Sequence, residues 1–103
     1  YAHRFVHFNE GTTREHLSNN AVTSFAQDLS DNIWIGTDRG GLNYLNVNQN
    51  KFSYFKHQPR TNSISSDIIQ HILINNQGQG LWIGYWSAGL DYFDFGSNRF
   101  IHF

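Results

Sequence analysis

"IWIGTDRGGLNY", residues Ile33–Tyr44, returns further along the chain as "LWIGYWSAGLDY", residues Leu81–Tyr92. The two copies differ mainly in the middle, and the match extends on both sides. Aligning Leu17–Phe55 with Ile64–Phe103, with Gly80 unpaired, gives identities at Ser18/Ser65, Trp34/Trp82, Ile35/Ile83, Gly36/Gly84 and Gly41/Gly89. They continue at Leu42/Leu90, Tyr44/Tyr92, Asn50/Asn98, Phe52/Phe100 and Phe55/Phe103. A third, partial copy opens the chain: "RFVHF" at 4–8 matches "KFSYF" at 51–55 and "RFIHF" at 99–103. Phe8 to Phe55 is 47 residues and Phe55 to Phe103 is 48. A period of this size indicates a repeat architecture.

Within a unit the apolar pattern has period two. "AVTSFAQD" (21–28), "IWIGT" (33–37), "GLNYLN" (41–46) and "KFSYF" (51–55) are short runs rich in β-branched and aromatic residues. "LSDN", "DRG" and "VNQN" between them are turn formers. The second unit places strands at 68–75, 81–86, 89–94 and 99–103. "TTRE" at 12–15 has the form of a capping box, but no amphipathic run follows and it reads as a turn. The expectation is an all-β protein of two four-stranded antiparallel β-propeller blades, a fragment of a larger ring. Residues 1–16 are the last strand of a preceding blade plus linker, 17–55 a blade, 56–63 the inter-blade linker and 64–103 a blade.

Several identities have structural reasons in such a unit. Trp34 and Trp82 would fill the wedge between neighbouring blades, both largely buried. Gly36, Gly41, Gly84 and Gly89 flank the loop between second and third strands, where positive φ or close backbone approach is needed.

The 103 residues suit one small domain, with 39% hydrophobic residues, 17% aromatic, 15% charged and a net charge of −1. Seven Lys and Arg against eight Asp and Glu, all scattered, make neither a nucleic-acid surface nor a polybasic membrane anchor. No cysteine is present, which removes disulfides, thiolate nucleophiles and cysteine-ligated zinc. No apolar run approaches the roughly 18–20 residues of a membrane span. The chain opens on Tyr1 and has no Met, so it reads as a piece of a longer protein. Two blades and a spare strand are too few to close a ring. Their uncovered faces call for further blades or other copies of the same fragment, and the isolated chain is expected to self-associate or to exchange amide protons rapidly at Phe5–Phe8.

"LSNNAVTSFAQDLSDNIWIGTDRGGLNYLN" resembles the two-component-regulator propeller repeat, L-S-x-N-x-V-x-x-I-x-x-D-x-x-G-x-[IL]-W-I-G-T-x-x-G-G-L. Leu17, Ser18, Asn20, Val22, Asp28, Ile33 to Thr37, Gly40, Gly41 and Leu42 match; Phe25 and Asn32 depart from it. The second unit diverges further, at Asn75, Tyr85 and Ala88. The resemblance implies a non-catalytic piece of a periplasmic ligand-sensing propeller, a seven-bladed ring that is part of an inner-membrane receptor. Its output would be a histidine kinase or a diguanylate cyclase (GGDEF) domain, and its ligand a glycan or other small molecule. The alternatives are a propeller scaffold for protein–protein interaction and a propeller-fold carbohydrate-active enzyme.

No catalytic residue, metal site or cofactor is assigned. His3 and His7 are the closest histidine pair, and on a strand they lie about 13 Å apart, too far to share an ion. His7 and His102 occupy the repeat position of Tyr54 and read as aromatic place-holders. "GQGLWIG" lacks the spacing, Lys and helix of a phosphate loop. Binding residues are sought instead where the copies differ, on loops carried by a rigid repeat. Asp38 and Arg39 can bind a polar ligand, Tyr85 and Trp86 can stack on a flat ring, and His57 and Arg60 of the linker reach the same face.

Overall fold

Alternation along each run builds the strands, and in the first of them half-buried and exposed residues follow one another strictly over Val22–Gln27. The computed structural model describes residues 17–19 and 21–103. The expected strand at 4–8, Phe5–Phe8, the 12–15 turn, Asn20 and His3, His7 and His16 lie outside the described residues. Eight strands follow: β1 (Val22–Gln27), β2 (Ile33–Thr37), β3 (Leu42–Asn46), β4 (Lys51–Phe55), β5 (Ile69–Ile74), β6 (Gly80–Tyr85), β7 (Leu90–Asp94) and β8 (Arg99–His102). They form two antiparallel four-stranded meanders, β1-β2-β3-β4 and β5-β6-β7-β8.

The repeat extends to irregularities. Each first strand carries a bulge at the same place, between Val22 and Ser24 and between Ile69 and His71. Asn50 and Asn98, identical in both copies, hold φ of 53° and 60° in the outer hairpin turns, a left-handed conformation that Asn tolerates better than most residues. Gly41 and Gly89 hold φ of 78° and 83°, the positive φ expected of glycine at the loop between second and third strands.

The sheets pack face to face. Trp34 and Gly36 point from the first sheet toward the second, whose facing side carries Leu81, Ile83, Tyr85, Phe93 and Phe100, all buried. Trp34 lies 5.7 Å from Phe93 and is stacked on Phe95 at 5.4 Å between ring centroids. Phe55 adds contacts to Phe93 and Phe100 at 5.6 and 6.1 Å. Gly36 is what lets β5 come close: a Cβ there would stand 2.7 Å from Ile69 Cγ2. Across the same seam Thr23 Oγ1 donates to the Ile69 carbonyl at 2.8 Å, and the Ile72 amide donates to Ser24 Oγ at 3.2 Å.

The equivalent side of the second sheet has no such neighbour among the described residues. Trp34 is 4% exposed, whereas Trp82 is only half-buried, which corrects the expectation that both are largely buried. Leu42 is fully buried and its counterpart Leu90 is 41% exposed. Phe55 is half-buried, and its counterpart Phe103 is 71% exposed. A Cβ on Gly84 would meet only the His71 carbonyl, at 3.7 Å. The residues are the same; the facing sheet makes the difference.

Candidate functional site

The meander order places the β2–β3 loop, the β6–β7 loop and the segment leading into β5 at one end of the sheets. Hydrogen bonds tie them together. Asp38 bridges to Ile68, the Arg39 and Gly41 amides donate to the Asp67 carbonyl at 3.1 and 3.0 Å, and the Trp86 amide donates to the Ile68 carbonyl at 3.4 Å. Thr37 closes the first loop from inside, its hydroxyl donating to the Gly41 carbonyl at 2.7 Å. Arg39 sits at φ 88°, a strained backbone position for a side chain of its kind, held by these bonds.

A cavity of about 520 Å3 opens here, lined by Thr23, Asp38, Arg39, Ile68, Ile69, Gln70 and Trp86. Asp38, Arg39 and Trp86 are therefore brought together from both sheets. The Trp86 indole is 71% exposed. The Arg39 guanidinium, 3.7 Å from Asp38 and 75% exposed, retains most of its donors for another partner.

Tyr85 does not join them. It is 5% exposed, because strand alternation turns its ring into the seam while its neighbour Trp86 turns out; stacking on a ligand is ruled out for it. His57 and Arg60 are exposed and do not line this cavity. The His57 amide donates to Asp67 Oδ1 at 2.7 Å, and its Nδ1 lies 2.8 Å from the Ile64 carbonyl. Its visible role is to shape the linker.

What sequence reading missed is a buried carboxylate beneath this loop. Asp91, 1% exposed, accepts from the Tyr85 hydroxyl at 2.6 Å, the Ser65 amide at 2.9 Å and the Ser65 hydroxyl at 2.8 Å. His102 Nδ1 lies 2.7 Å from Asp91 Oδ1 and 2.9 Å from Ser65 Oγ. His102 is thus a polar partner rather than the aromatic place-holder expected of it. The first sheet has Asn43, Ser18, Thr37 and Tyr54 in these places, so the signal was three coordinated differences between copies. A serine, a histidine and an aspartate meet here, but both oxygens face the same imidazole nitrogen. A nucleophilic relay needs the hydroxyl and the carboxylate on opposite ring nitrogens. The cluster fastens the start of the second unit to β7 and β8.

Burial, then the hydrogen bond and charge of Asp91, push the Tyr85 hydroxyl far above its ordinary 10.0. The folded protein keeps a proton that the unfolded chain sheds, so this contribution to stability is intact below pH ~10 and is lost as pH rises above it. Tyr85→Phe should cost about 1–3 kcal/mol at neutral pH, the price of depriving buried Asp91 of a donor. The gap between parent and variant should shrink above pH ~10, as urea melts at pH 8 and 11 would show.

Four-stranded antiparallel meanders packed face to face, with loops gathered at one end, define this chain as two blades of a β-propeller. Residues 16–39 match the family model described as two component regulator propeller. Among solved structures, the chain is similar to the extracellular domain described as that of a hybrid two component system from B. thetaiotaomicron, with 27% identity and a TM-score of 0.81. That match covers 94% of this chain and 14% of the other. No curated protein matches the chain.

Proposed function

We propose that these blades form part of the ligand-recognition surface of a bacterial sensor propeller, lying in the periplasm as part of an inner-membrane receptor, and that they do no chemistry themselves. The observation that carries this reading is the convergence of Asp38, Arg39 and Trp86 from two blades around one open cavity. A bare indole beside a carboxylate, a guanidinium and the Gln70 amide suits a polar ligand with a flat, apolar ring face, such as a sugar of a glycan fragment. The similarity to a two component system's extracellular domain supports the placement and the signalling role. The output would be a histidine kinase or a diguanylate cyclase. The uncovered side of the second blade, with Trp82, Leu90 and Phe103, has the chemistry that the first blade presents to its neighbour. It is the seat for a further blade, and a second copy of the chain is the alternative occupant.

The test is a glycan array on the intact receptor, followed by titration of any hit. Trp86→Ala and Arg39→Ala should each weaken binding about tenfold or more, as anchors of a small site do. Both side chains are exposed, so stability should change by less than about 0.5 kcal/mol. Unaltered affinity in both variants would move the ligand elsewhere on the propeller.

A further inference from the structure

At the opposite end of the sheets a second cavity, about 410 Å3, opens along the seam between the blades. Its walls include the rings of Trp34, Tyr44, Phe55, Phe93 and Phe95, and Asp28 stands among them. The Asp28 carboxylate accepts three neutral donors: the amides of Ser30 and Asn32 at 3.0 Å each and the indole Nε1 of Trp34 at 3.1 Å. These hydrogen bonds leave its charge uncompensated, and no ion pair involves it among the described residues. The charge reaches into the cavity: burial first, and then Asp28 itself, push the Tyr44 hydroxyl above its ordinary value.

Aromatic rings around a pocket with one uncompensated carboxylate are the chemistry that recognises an organic cation, because ring faces and carboxylate attract the same charge. We propose that this seam binds a small organic cation, an alkylammonium or quaternary ammonium group, with Asp28 as its counter-charge. The site belongs to the junction of the two blades, since Phe93 of β7 and Phe95 of the turn after it come from the second blade and the rest from the first. It is separate from the loop cavity and does not depend on that cavity's ligand. The second blade has Asn75 in place of Asp28, and its amide donates to the Tyr92 hydroxyl at 2.9 Å; the anionic half of the site is absent there.

That same difference supplies the variant. Asn75 Oδ1 accepts the Gln79 and Gly80 amides at 2.7 and 3.3 Å, so an asparagine oxygen can accept turn amides, and Asp28→Asn removes the charge together with the acceptor of the Trp34 indole. The intact protein, labelled with 5-fluorotryptophan, is titrated with choline and with its neutral isostere 3,3-dimethyl-1-butanol while the Trp34 fluorine resonance is followed. Choline should shift that resonance saturably, the neutral isostere should bind at least tenfold more weakly, and Asp28→Asn should weaken choline at least tenfold. The proposal is overturned if choline produces no shift, if the isostere binds as well as choline, or if Asp28→Asn leaves the choline response unchanged. The isostere comparison uses the parent protein alone and stands whether or not the variant folds.

Discussion

Trp34→Ala should unfold this pair of blades far more readily than Trp82→Ala, although the two residues are one repeat apart and identical. Trp34 is the wedge of the seam: 4% exposed, stacked on Phe95, edge-on to Phe93 and bonded through its indole nitrogen to Asp28. Its truncation should cost about 3–5 kcal/mol, the range for large aromatic side chains removed from cores. Trp82 is half-buried, resting on Tyr92 at 4.7 Å and Phe103 at 5.7 Å within its own sheet. Its truncation should cost about 1–2 kcal/mol, part of the transfer value of a fully buried large side chain. Urea denaturation of the parent chain and the two variants measures both. Equal losses would mean that the Trp82 side is covered in solution, by a second copy or otherwise, and the concentration dependence of the midpoint would identify self-association.

The same asymmetry explains how much was legible beforehand. Strands followed from period-two runs and turn residues, because backbone pairing is local to a hairpin, and the eight observed strands fall within two residues of those expected at every end. The expected burial of Trp82 was a statement about repeats, and burial belongs to a residue and its neighbour together. Asp38, Arg39 and Trp86 stand out in the sequence because loops that differ between otherwise similar copies are released from the packing that keeps the rest alike, and the structure places the three around one cavity. Tyr85 lies in the same variable stretch but is buried: it is the last residue of β6, and one step of strand alternation separates it from Trp86. Asp28 was visible as a repeat residue, but its place beside rings of the other blade was not. That depends on the rings of Phe93 and Phe95 reaching Trp34 across the seam, a contact of high sequence separation. The Asp91 cluster was hidden for a further reason, since each of its substitutions looks ordinary alone and only the third dimension joins them.

That cluster yields the sharpest contrast between the copies. In the first blade Asn43, fully buried, accepts the Ser18 amide at 3.0 Å and donates through Nδ2 to Ser18 Oγ at 2.8 Å. The serine hydroxyl is thereby left to donate to the Gly40 carbonyl at 2.7 Å. Asn43→Asp would replace the donor by an anion. The hydroxyl must then turn from Gly40 toward the carboxylate, and the site has Thr37 and Tyr54 where the second blade has Tyr85 and His102. A buried charge without the donors that Tyr85 and His102 supply in the second blade should cost about 3–5 kcal/mol at neutral pH. Burial raises the folded carboxyl above its unfolded value of about 3.9, so the loss should set in as pH rises through that value and fade below it, where the protonated acid can donate as the amide does. The reverse change, Asp91→Asn, should cost less, about 1–3 kcal/mol, because the Ser65 hydroxyl can rotate and the imidazole can change tautomer to accept from the new amide. Adding Thr37→Tyr and Tyr54→His to Asn43→Asp should recover a substantial part of the loss, as the coupling within one hydrogen-bonded network requires. Thermal melts of the three variants between pH 3.5 and 7.5 decide the matter. A pH-independent cost for Asn43→Asp, or no recovery in the triple variant, would show that the second blade's carboxylate is held by the Ser65 amide and hydroxyl rather than by Tyr85 and His102.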